Sequence, residues 1–243
     1  MRDLRHLVLQ VAGGPVRCRE GQFVGLQFPT APEAGGAMFS IASARDGETP
    51  GQDDLALLVK HADDDTDEST HLRAQLLSAL KAGDELVLSG PYGDAFLPAE
   101  GPAPMLMIAT GTGIAPMRAV VQQLVREPRA GERLLVFGAR SPNEAAYVDE
   151  LTQLPPETTQ LRFAWSRQPE QLRRYVHDEI RAAAAPILRL LADPDLSVCL
   201  CGVPAMEAEA ERALSQVCEA AQLDWAGIRA QLQQRGALHV QTY

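Results

Sequence analysis

The pattern of apolar and polar positions changes character about two-fifths of the way along the chain. Up to about residue 97 the apolar positions come in short runs broken by Gly, Pro and Asp: HLVLQV from His6, GQFVGLQF from Gly21, MFSIAS from Met38, DLALLVK from Asp54 and DELVLSG from Asp84. Runs of that length and composition predict the strands of a small antiparallel barrel. One segment departs from the rule. Between Ser69 and Leu80 the apolar residues Leu72, Leu76, Leu77 and Leu80 recur at helical spacing, with Ser69 as N-cap and Lys81-Ala82-Gly83 as the stop.

Beyond the Pro- and Gly-rich segment Pro98 to Pro104, strand alternates with helix. MLMIAT, RLLVFGA, LRFAWS and SVCLCG are nearly unbroken apolar runs, each followed by a helix-compatible stretch. That alternation specifies a parallel sheet with crossover helices. The expected fold is therefore a β barrel over residues 1–100 joined to an α/β, doubly wound parallel sheet over 101–243, with ligands at the carboxyl ends of the parallel strands.

Composition narrows the function classes. A chain of 243 residues that is 46% hydrophobic can bury a substantial core, and 22 Lys plus Arg against 32 Asp plus Glu give a net charge of −10, which argues against nucleic acid as a partner. No apolar run approaches the roughly 20 residues of a membrane helix, and the opening MRDLRHLVLQVAGG lacks an apolar block with a small-residue cleavage site, so the expected location is cytoplasmic, away from membranes. Cys18, Cys199, Cys201 and Cys218 have no CxxC spacing; Cys199 and Cys201 fall on one face of a strand, and neither a disulfide framework, a zinc site nor an iron–sulfur centre is expected. The acidic run Ala62 to Glu68 lacks the central Gly and alternating ligands of a calcium loop and reads as a solvated loop. No metal site is expected.

The main chemical signal is Met107-Ile-Ala-Thr-Gly-Thr-Gly-Ile-Ala-Pro116, a buried strand entering a Gly-rich turn that opens a helix. Such a turn offers bare N–H groups and the positive end of a helix dipole to an anion. Followed by Ile-Ala-Pro, it resembles the pyridine-nucleotide turn of the ferredoxin-NADP reductase family. Further segments match that family in order: Phe39-Ser40-Ile41-Ala42-Ser43, Leu58-Val59-Lys60, Gly90-Pro91-Tyr92-Gly93, Val136 to Arg140, Ser166-Arg167, Tyr175-Val176, Cys201-Gly202 and the terminal His239 to Tyr243.

The resemblance implies an FAD-binding barrel and an NADP-binding α/β domain, with NADPH and FAD as cofactors and a separate small electron-carrier protein of the ferredoxin or flavodoxin type, or an oxygenase component, as partner. It implies catalytic roles for Ser40 beside the flavin, Cys201 facing the nicotinamide and Tyr243 stacking on the ring system. Phe39, Ile41, Ser43, Leu58, Val59 and Lys60 correspond to the flavin strands. Gly111, Thr112, Gly113, Gly202 and Met206 correspond to the nucleotide turn and the loop opposite it. The chemistry of a 2′-phosphate calls for Arg, Ser or Tyr donors, and Ser166, Arg167, Arg173 and Tyr175 match the family's set. His177 stands where relatives commonly carry Gln.

Several positions depart from the family. Ala37 replaces the Arg that pairs with the FAD pyrophosphate, and His71-Leu-Arg-Ala74 replaces the Gly-x-x-Ser of the following helix. Arg73, expected in the first turn of that helix, is the candidate replacement cation. Gln241 replaces a Glu, and the chain begins at what resembles the family's second barrel strand. The expected function is an FAD-dependent reductase between NADPH and a one-electron carrier. The rivals are a module with weakened flavin binding that acts in docking or regulation, and a reductase of free flavin.

Overall fold

The computed structural model describes residues 4–14, 16–60, 68–169 and 172–242. The elements follow in chain order: β1 (Leu4–Gln10), β2 (Phe23–Gln27), β3 (Ala37–Ser40), β4 (Asp54–Lys60), α1 (Glu68–Ala79), β5 (Val87–Tyr92), β6 (Met105–Thr110), α2 (Ile114–Arg126), β7 (Arg133–Ala139), α3 (Val148–Thr152), β8 (Gln160–Trp165), α4 (Val176–Ala182), α5 (Ala184–Leu191), β9 (Ser197–Gly202), α6 (Pro204–Ala220), α7 (Trp225–Gln234) and β10 (Leu238–Thr242).

The amino-terminal half is antiparallel throughout. β1 pairs with β4 in one small sheet and β3-β2-β5 form another, while a single bridge between Ile41 and Leu57 joins the two into a partial barrel. Alternation along the strands divides inside from outside. Leu55, Leu57, Val24, Leu26 and Ile41 point into one apolar cluster, whereas Ala56 and Leu58, one residue out of step, join the core of the other half. β4 is thus buried on both faces, which is why DLALLVK is apolar almost throughout. The helix expected between Ser69 and Leu80 is α1; it starts at Glu68, which places Arg73 in its second turn.

The carboxyl-terminal half is a five-stranded parallel sheet in the order β10-β9-β6-β7-β8. Counted from β6, that order is 3-2-1-4-5, so the direction of winding reverses between β6 and β9. α2 and the adjoining barrel strand cover one face of the sheet; α4, α5, α6 and α7 cover the other. Met107, Leu135 and Cys199 face the first layer and Ile108, Val136 and Leu200 the second, all essentially inaccessible. β10 is an unanticipated fifth strand. Its half-buried LHVQT carries His and Gln, and it forms because β9 offers a free edge in register from Val198 to Gly202.

No described helix is long and apolar enough to cross a membrane, and the described residues hold no cluster of three or more His, Cys, Asp or Glu able to bind a metal. The four cysteines are all buried. The acidic run from Ala62 lies largely outside the described residues, as does Tyr243.

Candidate active site at the carboxyl edge of the parallel sheet

A cavity of about 910 Å³ opens at the carboxyl ends of β6, β7, β8 and β9, against the point where winding reverses. Thr110, Gly111 and Thr112 form one wall, Gly138, Ala139 and Arg140 the next, and Ser166, Arg174, Tyr175 and His177 the far end. Val203, Ala205, Met206 and Glu209 close it from α6 and the turn before it, while Leu4 and Lys60, paired at the end of β1 and β4, complete it from the barrel. The cavity is therefore built by both halves of the molecule.

Two glycines set its floor. A Cβ on Gly113 would lie 2.0 Å from the Cys201 carbonyl oxygen, so the turn and the end of β9 approach backbone to backbone. A Cβ on Gly202 would lie 2.2 Å from Thr110 Oγ1 and 3.0 Å from Met206 Cε. The close packing leaves the Thr110 hydroxyl oxygen buried with no hydrogen-bond partner among the described residues. An orphaned hydroxyl costs about 1–3 kcal/mol, an expense that a ligand atom in the cavity would relieve.

Polar groups concentrate at the end away from the barrel. Tyr175 stacks on His177 with ring centroids 5.4 Å apart, and the Tyr175 N–H donates to Asp178 at the start of α4. Arg174 Nε lies 2.7 Å from Glu179, Arg140 lies 3.6 Å from Glu144, and His177 faces Asp178 at 3.5 Å and Glu209 at 3.9 Å. Two guanidinium groups, each beside a carboxylate, converge with a hydroxyl and a stackable aromatic ring on one end of the cavity. That is a set of donors for a phosphate beside a platform for a flat base.

Of the residues expected in the site, Lys60, Gly111, Thr112, Ser166, Tyr175 and Met206 line the cavity. Gly113 and Gly202 shape it from behind. Cys201 is wholly buried and belongs to the apolar cluster on the α2 face of the sheet, so its thiol does not line the cavity. Burial, with Cys201 adding to it, also pushes the neighbouring Cys199 thiol well up from its ordinary value. Arg167 and Arg173 are exposed and outside the lining; the Arg167 N–H donates to the Arg140 carbonyl. Arg140 and Arg174 stand in the wall instead. Arg174 gave a sequence signal, adjacency to Arg173 before the Tyr175 cap; Arg140 gave another, its place at the end of an apolar strand.

The expected flavin strands separate in the same way. Ile41 and Ser43 are buried, and Ser43 Oγ accepts the Ala56 N–H at 3.0 Å. Leu58 and Val59 pack into opposite clusters. Phe39 pairs with Val24 and turns into the barrel's apolar clusters. Ser40 pairs with Phe23, which in turn pairs with Tyr92, and Met38 pairs across bare Gly25 with Ser89 beyond. Ser40, Phe23, Tyr92 and Met38 thereby share the outer face, where Met38 and Tyr92 are 56% and 44% exposed. An exposed apolar platform bearing a hydroxyl suits a flat, hydrogen-bonding ring system. The Arg73 guanidinium donates to the Ala34 carbonyl at 2.8 Å, three residues before β3 begins. Gln241 donates from its amide to the Gly21 carbonyl at 2.7 Å, stitching β10 to the barrel, a bond a Glu could not make when ionised.

Residues 107–212 match the family model for an oxidoreductase NAD-binding domain. Among curated proteins, the chain is 30% identical over 260 residues to ferredoxin–NADP reductase of a Spirulina species, covering 99% of this chain and 88% of that one. It is likewise 30% identical to ferredoxin–NADP reductase of Thermosynechococcus vestitus, covering 99% and 68%. The fold matches ferredoxin-NADP+ reductase from Plasmodium falciparum with a TM-score of 0.76 at 20% identity, over 100% of this chain and 90% of that one. With the reversal-point cavity and the sequence relatives agreeing over nearly its whole length, the chain belongs to the ferredoxin–NADP reductase family of NADP-dependent oxidoreductases.

Proposed function

We propose that this protein is an FAD-dependent reductase that moves electrons between NADPH and a separate one-electron carrier, a ferredoxin before any other. The observation that carries the reading is the two-ended cavity, with phosphate donors and an aromatic platform at one end and the barrel residues Leu4 and Lys60 at the other. A dinucleotide has that polarity. In this reading residues 1–100 serve the flavin and 101–243 the nucleotide.

Arg140, Arg174 and Ser166 would hold the 2′-phosphate, with Tyr175 against the adenine; the N–H groups of the Gly111–Gly113 turn and the dipole of α2 would hold the pyrophosphate. Thr110 Oγ1 would gain its missing partner from the nicotinamide end of the coenzyme. FAD, when bound, accepts a hydride and gives up single electrons. Ser40 on the outer barrel face would donate a hydrogen bond to the ring and handle its proton, with Met38 and Tyr92 as apolar supports. Lys60, reaching the cavity from β4, would neutralise phosphate charge between the two cofactors.

A second reading has a specific observation behind it. Ala37 supplies no cation to a flavin pyrophosphate, which favours loosely held flavin used as a diffusible substrate. The test is an absorbance spectrum of the purified protein followed by anaerobic titration with NADPH and, separately, NADH. Flavin bands that bleach with NADPH at far lower concentration than with NADH support the proposal. A protein that stays colourless in excess flavin contradicts it, and saturable NADPH oxidation by added flavin with no carrier selects the second reading.

A further inference from the structure

α2 leaves the nucleotide turn and carries three polar side chains along one edge, Arg118, Gln122 and Arg126, at i, i+4 and i+8. All three reach the same barrel segment. Arg118 donates to both Glu48 oxygens at 2.8 Å and to the Ala42 carbonyl at 3.0 Å, and its Nε donates to Glu150 at 2.8 Å. The Gln122 side-chain oxygen accepts the Ala44 N–H at 3.2 Å. Arg126 pairs with Asp46 and donates to the Gly47 and Glu48 carbonyls at 2.8 and 2.9 Å. Arg118 is only 5% exposed and lies 4.5 Å over the ring of Tyr147, whose hydroxyl meets His6 Nδ1 of β1 at 2.8 Å. His6 Nε2 returns to Glu48 at 3.5 Å. Tyr147 keeps this place with a left-handed backbone, φ 63°, which a bulky residue rarely adopts.

The two ends of this clasp have chemical meaning. Ala42, held by Arg118, is two residues from Ser40, and its own N–H is tied to the Ala56 carbonyl of β4, the strand that ends in Lys60. Gly113, at the other end, is locked backbone to backbone on Cys201. We infer that Arg118 is a positioning residue for the transfer between coenzyme and flavin: through Ala42 and Glu48 it fixes the distance between the barrel wall bearing Ser40 and Lys60 and the turn that holds the nucleotide. The inference rests on the function proposed above. A charged group is costly to bury among the apolar residues of α2, and here both terminal nitrogens of the guanidinium are directed across the junction of the two halves, to Ala42 and Glu48, while Nε is held by Glu150 of α3 on its own side.

The test uses the full chain with Arg118→Lys, which keeps a charge and loses the fork, and with Arg126→Ala, the outermost tie, in case the first variant folds poorly. Three quantities are read on each: affinity for 2′-phospho-AMP, which fills only the end of the cavity remote from the barrel; affinity for NADP+, which spans it; and the limiting rate of flavin bleaching by NADPH. For Arg118→Lys the expected result is unchanged 2′-phospho-AMP affinity within twofold, NADP+ affinity lowered at least threefold and the bleaching rate lowered about tenfold; for Arg126→Ala the NADP+ affinity and the bleaching rate fall about two- to threefold in the same pattern. Equal weakening of both nucleotides, or unchanged NADP+ affinity and bleaching rate in both variants, overturns the inference. A wild-type protein that shows no bleaching defeats the proposed function instead, and the ratio of the two nucleotide affinities still reports on the clasp.

Discussion

The two halves of the molecule, each assigned a flat ligand in the proposed function, are held together with different materials. The parallel half is held by three central strands, β9, β6 and β7, that are buried on both faces, and by a glycine turn packed backbone to backbone, so its side of the cavity is preformed. The barrel half consists of two small sheets joined by one bridge, and it carries sixteen acidic side chains against eight basic, where the remaining residues, 101–243, balance sixteen against fourteen. What the barrel lacks in continuous hydrogen bonding it regains from ties to its neighbour: the Arg118, Gln122 and Arg126 edge, Gln241 on Gly21, and His6 on Tyr147. In the proposed function the nucleotide end of the site would therefore be intrinsic to one half, whereas the flavin end would depend on the junction.

The contrast breaks most severely at the glycine floor. Gly113→Ala should cost about 3 kcal/mol or more, because the neighbour a Cβ meets is backbone that cannot rotate away; a urea unfolding curve with an unchanged midpoint would disprove the close approach. Next in size is coenzyme choice. Arg174→Ala should weaken NADPH about ten- to a hundredfold, the worth of one charge-assisted hydrogen bond, and leave NADH nearly unaffected in a direct titration.

Acid should then separate the halves. Burial alone would raise the Glu48 carboxyl, but hydrogen bonds from Arg118 and His6, with their charges, outweigh it and hold the group down to about 2 from 4.5. Its folded value lies below its unfolded one, so the stabilisation is complete above pH 4.5 and is lost as pH falls toward 2. Thermal unfolding followed between those values should show a steeper loss in the native protein than in Glu48→Gln. Smallest is Gln241→Glu, which should remove one hydrogen bond and lower stability by about 1 kcal/mol without moving 2′-phospho-AMP affinity.

The same contrast explains what could be read from the sequence. MLMIAT, RLLVFGA and SVCLCG form strands over the very residues of the apolar runs, because burial on both faces leaves little doubt about where such a strand ends. In the barrel the run MFSIAS shrinks to Ala37–Ser40, since its later residues turn to bridge β4, a pairing no local pattern encodes. β10 escaped notice because it is an edge strand with alternating polar residues. Within the cavity wall, the Gly-Thr-Gly turn is legible from type and spacing, and Ser166 and Tyr175 from the family resemblance. The outward face of β3 was not, because Phe39 rather than Met38 is the more conspicuous side chain and only the Val24 pairing reveals which one turns inward. Arg118 did leave a trace, a lone cation within Ile114-Ala-Pro-Met-Arg-Ala-Val-Val121; its partners come from distant loops and could not be named in advance.

If a pyridine dinucleotide completes the cavity at the reversal point, the orphaned Thr110 hydroxyl reports its arrival. Calorimetric titration of NADP+ into Thr110→Val, beside the native protein, removes that hydroxyl with little change of shape. The expected result is affinity lowered about tenfold in a variant at least as stable as the original, since the bound coenzyme would give this oxygen its partner. Undiminished affinity would contradict it.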